Sequence, residues 1–141
     1  MLVKILNQRL FKFMKWLKLL PLLIIIICST ACIQKSHEYT TSYQNITADE
    51  AHKLIQSNEN LIIVDVRGCK CSYNREHIPN AIWNTNPQDF YGEKKDLLIY
   101  CQTGVTSVEF CKKLVGHVYG KIYNLEGGIE AWKAAGYEVE K

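Results

Sequence analysis

A thiol, a short polar loop and a helical pattern follow one another in the second half of this chain. Asp96-Leu97-Leu98-Ile99-Tyr100 is an apolar run that ends at Cys101. Gln102-Thr103-Gly104-Val105-Thr106-Ser107 follows, and then an amphipathic stretch to Val115. In an open parallel sheet, ligands bind outside the carboxyl ends of the strands. A helix N-terminus at that place offers unpaired N–H groups and a partial positive charge. Such surroundings lower the pKa of a thiol and hold the thiolate ready to react. Cys101 is therefore the candidate nucleophile, provided that its sulfur is ionised, reachable and ringed by main-chain amides.

Other residues compete for chemical roles. Asp65 and Arg67 flank a second strand end. A salt bridge that orders the neighbouring loops is their expected role, with direct substrate contact by Arg67 as the other reading. Cys111 lies inside an apolar helical stripe with Val105, Val108, Leu114 and Val115, which places it in the core. His77 precedes Ile78-Pro79, where a turn-stabilising hydrogen bond is expected. Cys69, Cys71 and His77 make a poor zinc set, because Cys-x-Cys is not a usual structural spacing and a fourth ligand is missing. No metal or cofactor is expected.

The elements that must position these groups alternate between helix and strand. Thr47-Ala48-Asp49-Glu50 matches a capping box, and Ala51, Leu54 and Ile55 share the face of the helix it starts. Leu61-Ile62-Ile63-Val64-Asp65-Val66 reads as a strand buried on both faces. Arg67 to Glu76 reads as an irregular loop. His77 to Trp83 reads as a turn into a short strand, with Asn80 suited to a left-handed conformation. Asn84 to Lys95 holds at most one helical turn. Asp96–Tyr100 is the second strong strand, Val105 to Val115 a helix that Gly116 closes, and Lys121-Ile122-Tyr123-Asn124-Leu125 a third strand. Gly127-Gly128 turns the chain into a last helix over 129–135, which Gly136 stops. Strands alternating with helices imply an α/β domain with a parallel sheet.

The first thirty residues have a different composition. Lys4, Arg9, Lys12, Lys15 and Lys18 form a basic leader, and an apolar run from Leu19 to Ile27 follows, broken only by Pro21. Small residues then precede Cys32. This is the pattern of a secretory signal, and 1–31 is read as a signal peptide or membrane anchor. Residues 32–45, polar and without periodicity, read as a flexible tether, and 46–141 as the folded domain. The whole chain carries a net charge of +3. Five of its 17 basic residues lie before Cys32 and none of its 14 acidic ones do, so the remainder carries a net −2. No basic stripe interleaved with aromatics appears, and no nucleic-acid partner is expected. Export would put the domain in the periplasm or at the cell surface, where disulfides persist. The four domain cysteines, Cys69, Cys71, Cys101 and Cys111, allow three full connectivities.

Four segments together resemble the rhodanese family of sulfurtransferases: Val64-Asp65-Val66-Arg67, His77-Ile78-Pro79-Asn80-Ala81, the Cys101 loop, and Tyr123-Asn124-Leu125-Glu126-Gly127-Gly128-Ile129-Glu130-Ala131-Trp132. The resemblance runs from about Ile46 to Glu140. It implies a rhodanese-like doubly wound parallel sheet with helices on both faces. It also implies a persulfide mechanism in which Cys101 takes sulfane sulfur from a small sulfur-containing anion such as thiosulfate, or from a persulfide. The sulfur then passes to a thiol acceptor, a protein thiol included, or to cyanide. Gln102, Thr103, Gly104, Val105, Thr106 and Ser107 would form the anion-binding loop, a nest of main-chain amides.

The chain departs from the family at three points. Active members commonly carry Arg where Thr106 stands, so a dianionic donor should bind or turn over about tenfold less well, as a neutral hydrogen bond is weaker than a charged one. The loop after Arg67 is one residue longer and holds Cys69 and Cys71, auxiliary thiols that could accept sulfur from Cys101 or trap it as a disulfide. A structural disulfide or two idle thiols is the alternative. Asn80 replaces the usual Gly of its turn. Ser29-Thr30-Ala31-Cys32 resembles the lipobox of bacterial lipoproteins, which implies lipidation at Cys32; a plain cut and an uncleaved anchor stay open. Two other functions also stay open: a rhodanese-like binding or sensing module of little activity, and a thiol–disulfide oxidoreductase using Cys101 with Cys69 or Cys71.

Overall fold

The computed structural model describes residues 38–141. The leader, Cys32 and the first part of the expected tether lie outside the described residues. Five parallel strands form one sheet in the order β1-β5-β4-β2-β3: β1 Tyr43–Ile46, β2 Leu61–Asp65, β3 Ile82–Trp83, β4 Asp96–Tyr100 and β5 Ile122–Leu125. The helices are α1 Ala48–Ser57, α2 Lys70–Arg75, α3 Val105–Leu114 and α4 Gly128–Ala134, with a 3₁₀ turn at Pro87–Phe90. Central β4 is apolar at every position after Asp96 because both of its faces are covered.

Period-two alternation sorts β4 onto two cores. Leu97, Ile99 and Cys101 pack with Phe110, Cys111 and Leu114 of α3 and with Phe90. Leu98 and Tyr100 pack on the opposite face with Ala48 and Ala51 of α1 and with Ile129 and Trp132 of α4. The chain is thus an α/β fold with helices on both faces of a parallel sheet, and Cys101 belongs to the α3 side.

Local chemistry explains the ends of the elements. Thr47 and Glu50 complete the capping box: the Thr47 N–H donates to Glu50 Oε2 at 2.8 Å, and the Glu50 N–H to Thr47 Oγ1 at 3.3 Å. Asn80 has φ 63°, the left-handed conformation expected of it.

Two expectations need correction. The segment 67–76 is not wholly irregular, since α2 occupies Lys70–Arg75. This helix buries no side chain, so it leaves no apolar period in the sequence. The tether reading of 32–45 also extends too far. Tyr43 and Gln44 belong to edge strand β1, paired with Ile122 and Tyr123. Just before it, Thr40 is already tied down. Its N–H donates to Val118 O at 2.8 Å, its carbonyl accepts from the Gly116 N–H at 2.8 Å, and its hydroxyl donates to Gly120 O at 2.6 Å. A four-residue, half-exposed edge strand carries too few apolar positions to stand out from a polar linker.

Candidate active site

Cys101 is the first residue beyond β4. Val66 donates its N–H to Tyr100 O at 2.9 Å, so the ends of β2 and β4 stay paired up to this point. The chain then turns through Gln102 and Thr103 to Gly104, the N-cap of α3, which sits at φ 86°. A Cβ at Gly104 would stand 2.9 Å from Gly127 N and 3.1 Å from Leu125 O, so the position needs glycine for both its angle and its space. Gly104 supplies no side-chain cap. The thiol takes that role from the other direction: Cys101 Sγ accepts the Gly104 N–H at 3.2 Å and lies 3.4 Å from Ser107 Oγ.

Burial acts to raise the Cys101 pKa. Hydrogen bonds from the Ser107 hydroxyl and from the amides of Ser107, Thr103 and Gly104 outweigh it, and the thiol ends up below its ordinary value. The anion is held by fixed dipoles, with no cation of the loop involved. Cys111, 0 % exposed in the same core, shows the contrast: without such donors its pKa is pushed up to about 12 by burial.

The sulfur faces the Gly104 amide and the Ser107 hydroxyl, but it is nearly closed off from solvent, against the requirement that it be reachable. Cys101 is only 3 % exposed, Gly104 and Ser107 are buried, and Gln102, Thr103, Val105 and Thr106 are exposed around them. The loop closes over the strand end while the α3 core packs beneath Cys101. A reactant sulfur must therefore approach through the loop rim. An open groove of about 490 Å³ borders that rim beside Thr103, Gly104 and Val105, with Asn45, Asn124 and Glu126 also lining it.

Asp65 and Arg67 form a buried ion pair. Arg67 Nη2 lies 2.6 Å from Asp65 Oδ2, and Arg67 Nε donates to both carboxylate oxygens. The guanidinium also donates to Glu76 O at 2.6 Å and to Gln102 Oε1 at 3.5 Å. Trp83 Nε1 donates to Arg67 O at 2.7 Å. Burial alone would lower the Arg67 pKa, but bonding to Asp65 raises it overall. Arg67 thus joins the loops after β2 and β4, and its charge is answered by Asp65. Thr106 is exposed on the first turn of α3 and brings no charge.

Sequence reasoning missed the braces behind the loop. Ile129 donates its N–H to Cys101 O at 3.0 Å, and Glu130 donates its N–H to Gln102 O at 3.3 Å. Glu130 Oε1 also accepts from Gln102 Nε2 at 3.0 Å. The only signal for them was the Gly127-Gly128 doublet, read as a turn. Tyr100, 0 % exposed, was read only as a strand residue; its hydroxyl accepts the Ile78 N–H at 3.2 Å, and burial raises its pKa. His77 stacks on Tyr73, with Nδ1 at 3.0 Å from Tyr73 O and Nε2 at 3.5 Å from Glu140 Oε1. Cys69 and Cys71 are joined to each other by a disulfide, and Cys101 and Cys111 are free.

A parallel sheet covered on both faces, with an amide-ringed cysteine at the end of its central strand, defines a rhodanese-type α/β domain. The family model for the rhodanese-like domain matches residues 47–135, and the chain belongs to this family. A similar protein is the thiosulfate sulfurtransferase GlpE of Coxiella burnetii, 36 % identical over 97 residues, which span 65 % of this chain and 89 % of that one. A rhodanese-like domain protein from Staphylococcus aureus superposes with TM-score 0.53 at 28 % identity, covering 70 % of this chain and 99 % of the other. A thiosulfate sulfurtransferase from Pseudomonas aeruginosa gives TM-score 0.62 at 17 % identity. That match covers 72 % of this chain and a fifth (20 %) of the other, and speaks to the fold alone.

Proposed function

We propose that this chain is a sulfurtransferase that carries sulfane sulfur as a persulfide on Cys101. The Cys101 thiolate attacks the outer sulfur of a donor such as thiosulfate. The donor S–S bond breaks, and sulfite leaves with the bonding electron pair. The Cys101 persulfide then passes its terminal sulfur to an attacking thiolate or to cyanide, and the Cys101 thiolate is restored. Thiolate and persulfide are both anions, and both suit the same ring of donors.

The observation that carries this reading is the convergence of the Gly104 amide and the Ser107 hydroxyl on a thiol of lowered pKa. The relationship to a protein named thiosulfate sulfurtransferase GlpE supports the reaction class. The donor is a different matter. A dianion would meet amides and hydroxyls but no loop cation, because Thr106 is neutral and Arg67 is committed to Asp65. A protein or small-molecule persulfide suits this site better than thiosulfate.

The composition of the leader supports an exported, membrane-tethered protein, lipidated at Cys32 and facing the periplasm or the cell surface. No helix among the described residues is long and apolar enough to cross a membrane. The tether proposal therefore rests on the sequence before residue 38.

Intact mass after incubation with thiosulfate or glutathione persulfide tests the function. The expected result is a gain of one sulfur atom that disappears in Cys101→Ser. The same spectrum reads acyl chains at Cys32. The near-closure of Cys101 favours one second reading, a binding or sensing module, and absence of an adduct with either donor would favour it further. Cys101 paired with Cys69 or Cys71 is not the arrangement found, since those two are paired with each other.

A further inference from the structure

We infer that Cys69 and Cys71 form a redox-active dithiol that reduces the Cys101 persulfide of the same chain and releases the transferred sulfur as sulfide. This rests on the persulfide reading of Cys101 and names the acceptor that the reading leaves open.

Three observations carry it. First, the Cys69–Cys71 disulfide does little for the fold. It closes a loop of sequence separation 2, which removes little freedom from an unfolded chain. It ties together no two elements, because Cys69 is the N-cap of α2 and Cys71 lies in its first turn. Both residues are exposed, and α2 has no buried side chain. A staple belongs across a core or between segments, and this bond sits on the surface within one turn of chain.

Second, the pair stands on the active edge of the sheet. Strands β2 and β4 are parallel neighbours with Asp65 opposite Tyr100, so the loops that carry Cys69 and Cys101 leave at the same end. Cys69 follows Val66, whose N–H binds Tyr100 O, by three residues. That puts the Cys69 Cα at most about 11 Å from the Val66 Cα, and Val66 lies one strand spacing, about 5 Å, from the end of β4. Arg67, between them, reaches Gln102 next to the reactive thiol.

Third, the segment has open space at the joint nearest the site. Gly68 joins the anchored Arg67 to Cys69, and a Cβ there would meet nothing within 4 Å. Tyr73 fixes the far end of α2, with its hydroxyl donating to Ala81 O at 2.8 Å. The Cys-x-Cys turn lies between these two anchors, and Lys70 in its middle reaches over the Trp83 ring at 5.7 Å.

The step balances. The Cys69 thiolate attacks the outer sulfur of the Cys101 persulfide. That S–S bond breaks, and its electron pair returns to Cys101 Sγ. The Cys71 thiolate then attacks Cys69 Sγ and expels hydrosulfide. The sulfane sulfur has gained two electrons, and the dithiol has lost two and closed the disulfide seen here. A single thiol could take the sulfur but could not release it as sulfide. The next turnover needs an external dithiol reductant to reopen the Cys69–Cys71 bond.

The experiment uses the full chain, reduced, freed of reductant, and given one equivalent of thiosulfate or, separately, of glutathione persulfide. Sulfide release and the thiol state of each cysteine are followed by alkylation and peptide mass. The unsubstituted protein should release one sulfide per chain and close Cys69–Cys71. The Cys69→Ser/Cys71→Ser protein should hold a stable Cys101 persulfide and release none. Cys71→Ser should collect the extra sulfur on Cys69, and Cys101→Ser should do neither. In a separate run with donor held saturating, so that loading does not limit the rate, first-order release unchanged on tenfold dilution of the protein is expected of a step within one chain. A Cys101 persulfide as long-lived in the unsubstituted protein as in the double variant, with Cys69 and Cys71 still reduced, overturns the inference alone. So does release that slows in proportion to dilution. No persulfide in the double variant with either donor overturns the reading of Cys101 and the inference together.

Discussion

Gly128 lies directly behind Cys101. It has φ +59°, and a Cβ built on it would overlap the Cys101 carbonyl oxygen and stand 2.6 Å from the carbonyl carbon and oxygen of Gln102. The same Cys101 oxygen accepts the Ile129 N–H at 3.0 Å. The sulfur loop is therefore set from behind by the first turn of α4, main chain on main chain. Gly128→Ala should cost about 2–4 kcal/mol, from a strained left-handed residue and an overfilled contact. Denaturant unfolding reads the loss, and sulfur loading of the variant should fall with it. Unchanged loading would mean that the loop keeps its shape without this brace.

Thr106→Arg should raise thiosulfate:cyanide activity by about tenfold, since a charged donor exceeds a neutral one by roughly a decade of binding. Thr106 is exposed, so the longer side chain needs no cavity. The gain should be smaller with a glutathione persulfide donor, which brings at most one negative charge into the loop with its sulfur. Equal or lower thiosulfate kcat/KM in the variant would contradict the account of the missing cation.

Ser107→Ala should raise the Cys101 titration midpoint, because the hydroxyl is the first of the groups that favour the thiolate against burial. Alkylation of Cys101 near neutral pH should slow, with its pH profile displaced to the alkaline side. Stability carries the same sign. A thiol whose folded pKa is depressed adds stability above its unfolded pKa and loses it as pH falls through the folded value. The difference in unfolding free energy between the unsubstituted protein and Cys101→Ser should thus grow as pH rises through the lowered folded pKa. It should level off above the ordinary thiol range.

Asp65→Ala should be the most destabilising single change at the site, by about 3–5 kcal/mol, because it leaves the Arg67 charge buried without its partner. Asp65 is 0 % and Arg67 7 % exposed. Chemical denaturation measures the loss. Asp65→Ala/Arg67→Met should recover part of it, since both ions are then gone.

Cys69→Ser/Cys71→Ser should lower stability by no more than about 1.5 kcal/mol, the order expected for so short a closed loop. Thermal unfolding with and without reductant checks this. A larger loss would make the bond a structural one.

The legible parts of the molecule were those with a side-chain period. Strands β2, β4 and β5 and helices α1 and α3 bury recurrent apolar residues, and their patterns gave them away. Helix α2 rests on the core through Tyr73 alone and β1 is a short edge, so neither left a period. In the site, Cys101 and its loop could be read from residue type and order. The closure over the sulfur could not, because it arises from which face of β4 the strand end happens to present. Nor could the support from Ile129 and Glu130, whose main-chain N–H groups would be there with any residue but proline. The partition of the four cysteines was likewise undetermined, since spacing allows several pairings and only the position of α2 selects one.

Thr40 enters the domain beside Gly116, Val118 and Gly120, ahead of β5. All five strands run the same way, so this lies at the amino pole of the sheet and Cys101 at the carboxyl pole. A five-residue strand such as β4 puts roughly 15 Å between the poles. The described chain therefore enters the domain at the end remote from the thiol. Chain entry at Thr40 and the thiol of Cys101 thus occupy opposite rims of one sheet.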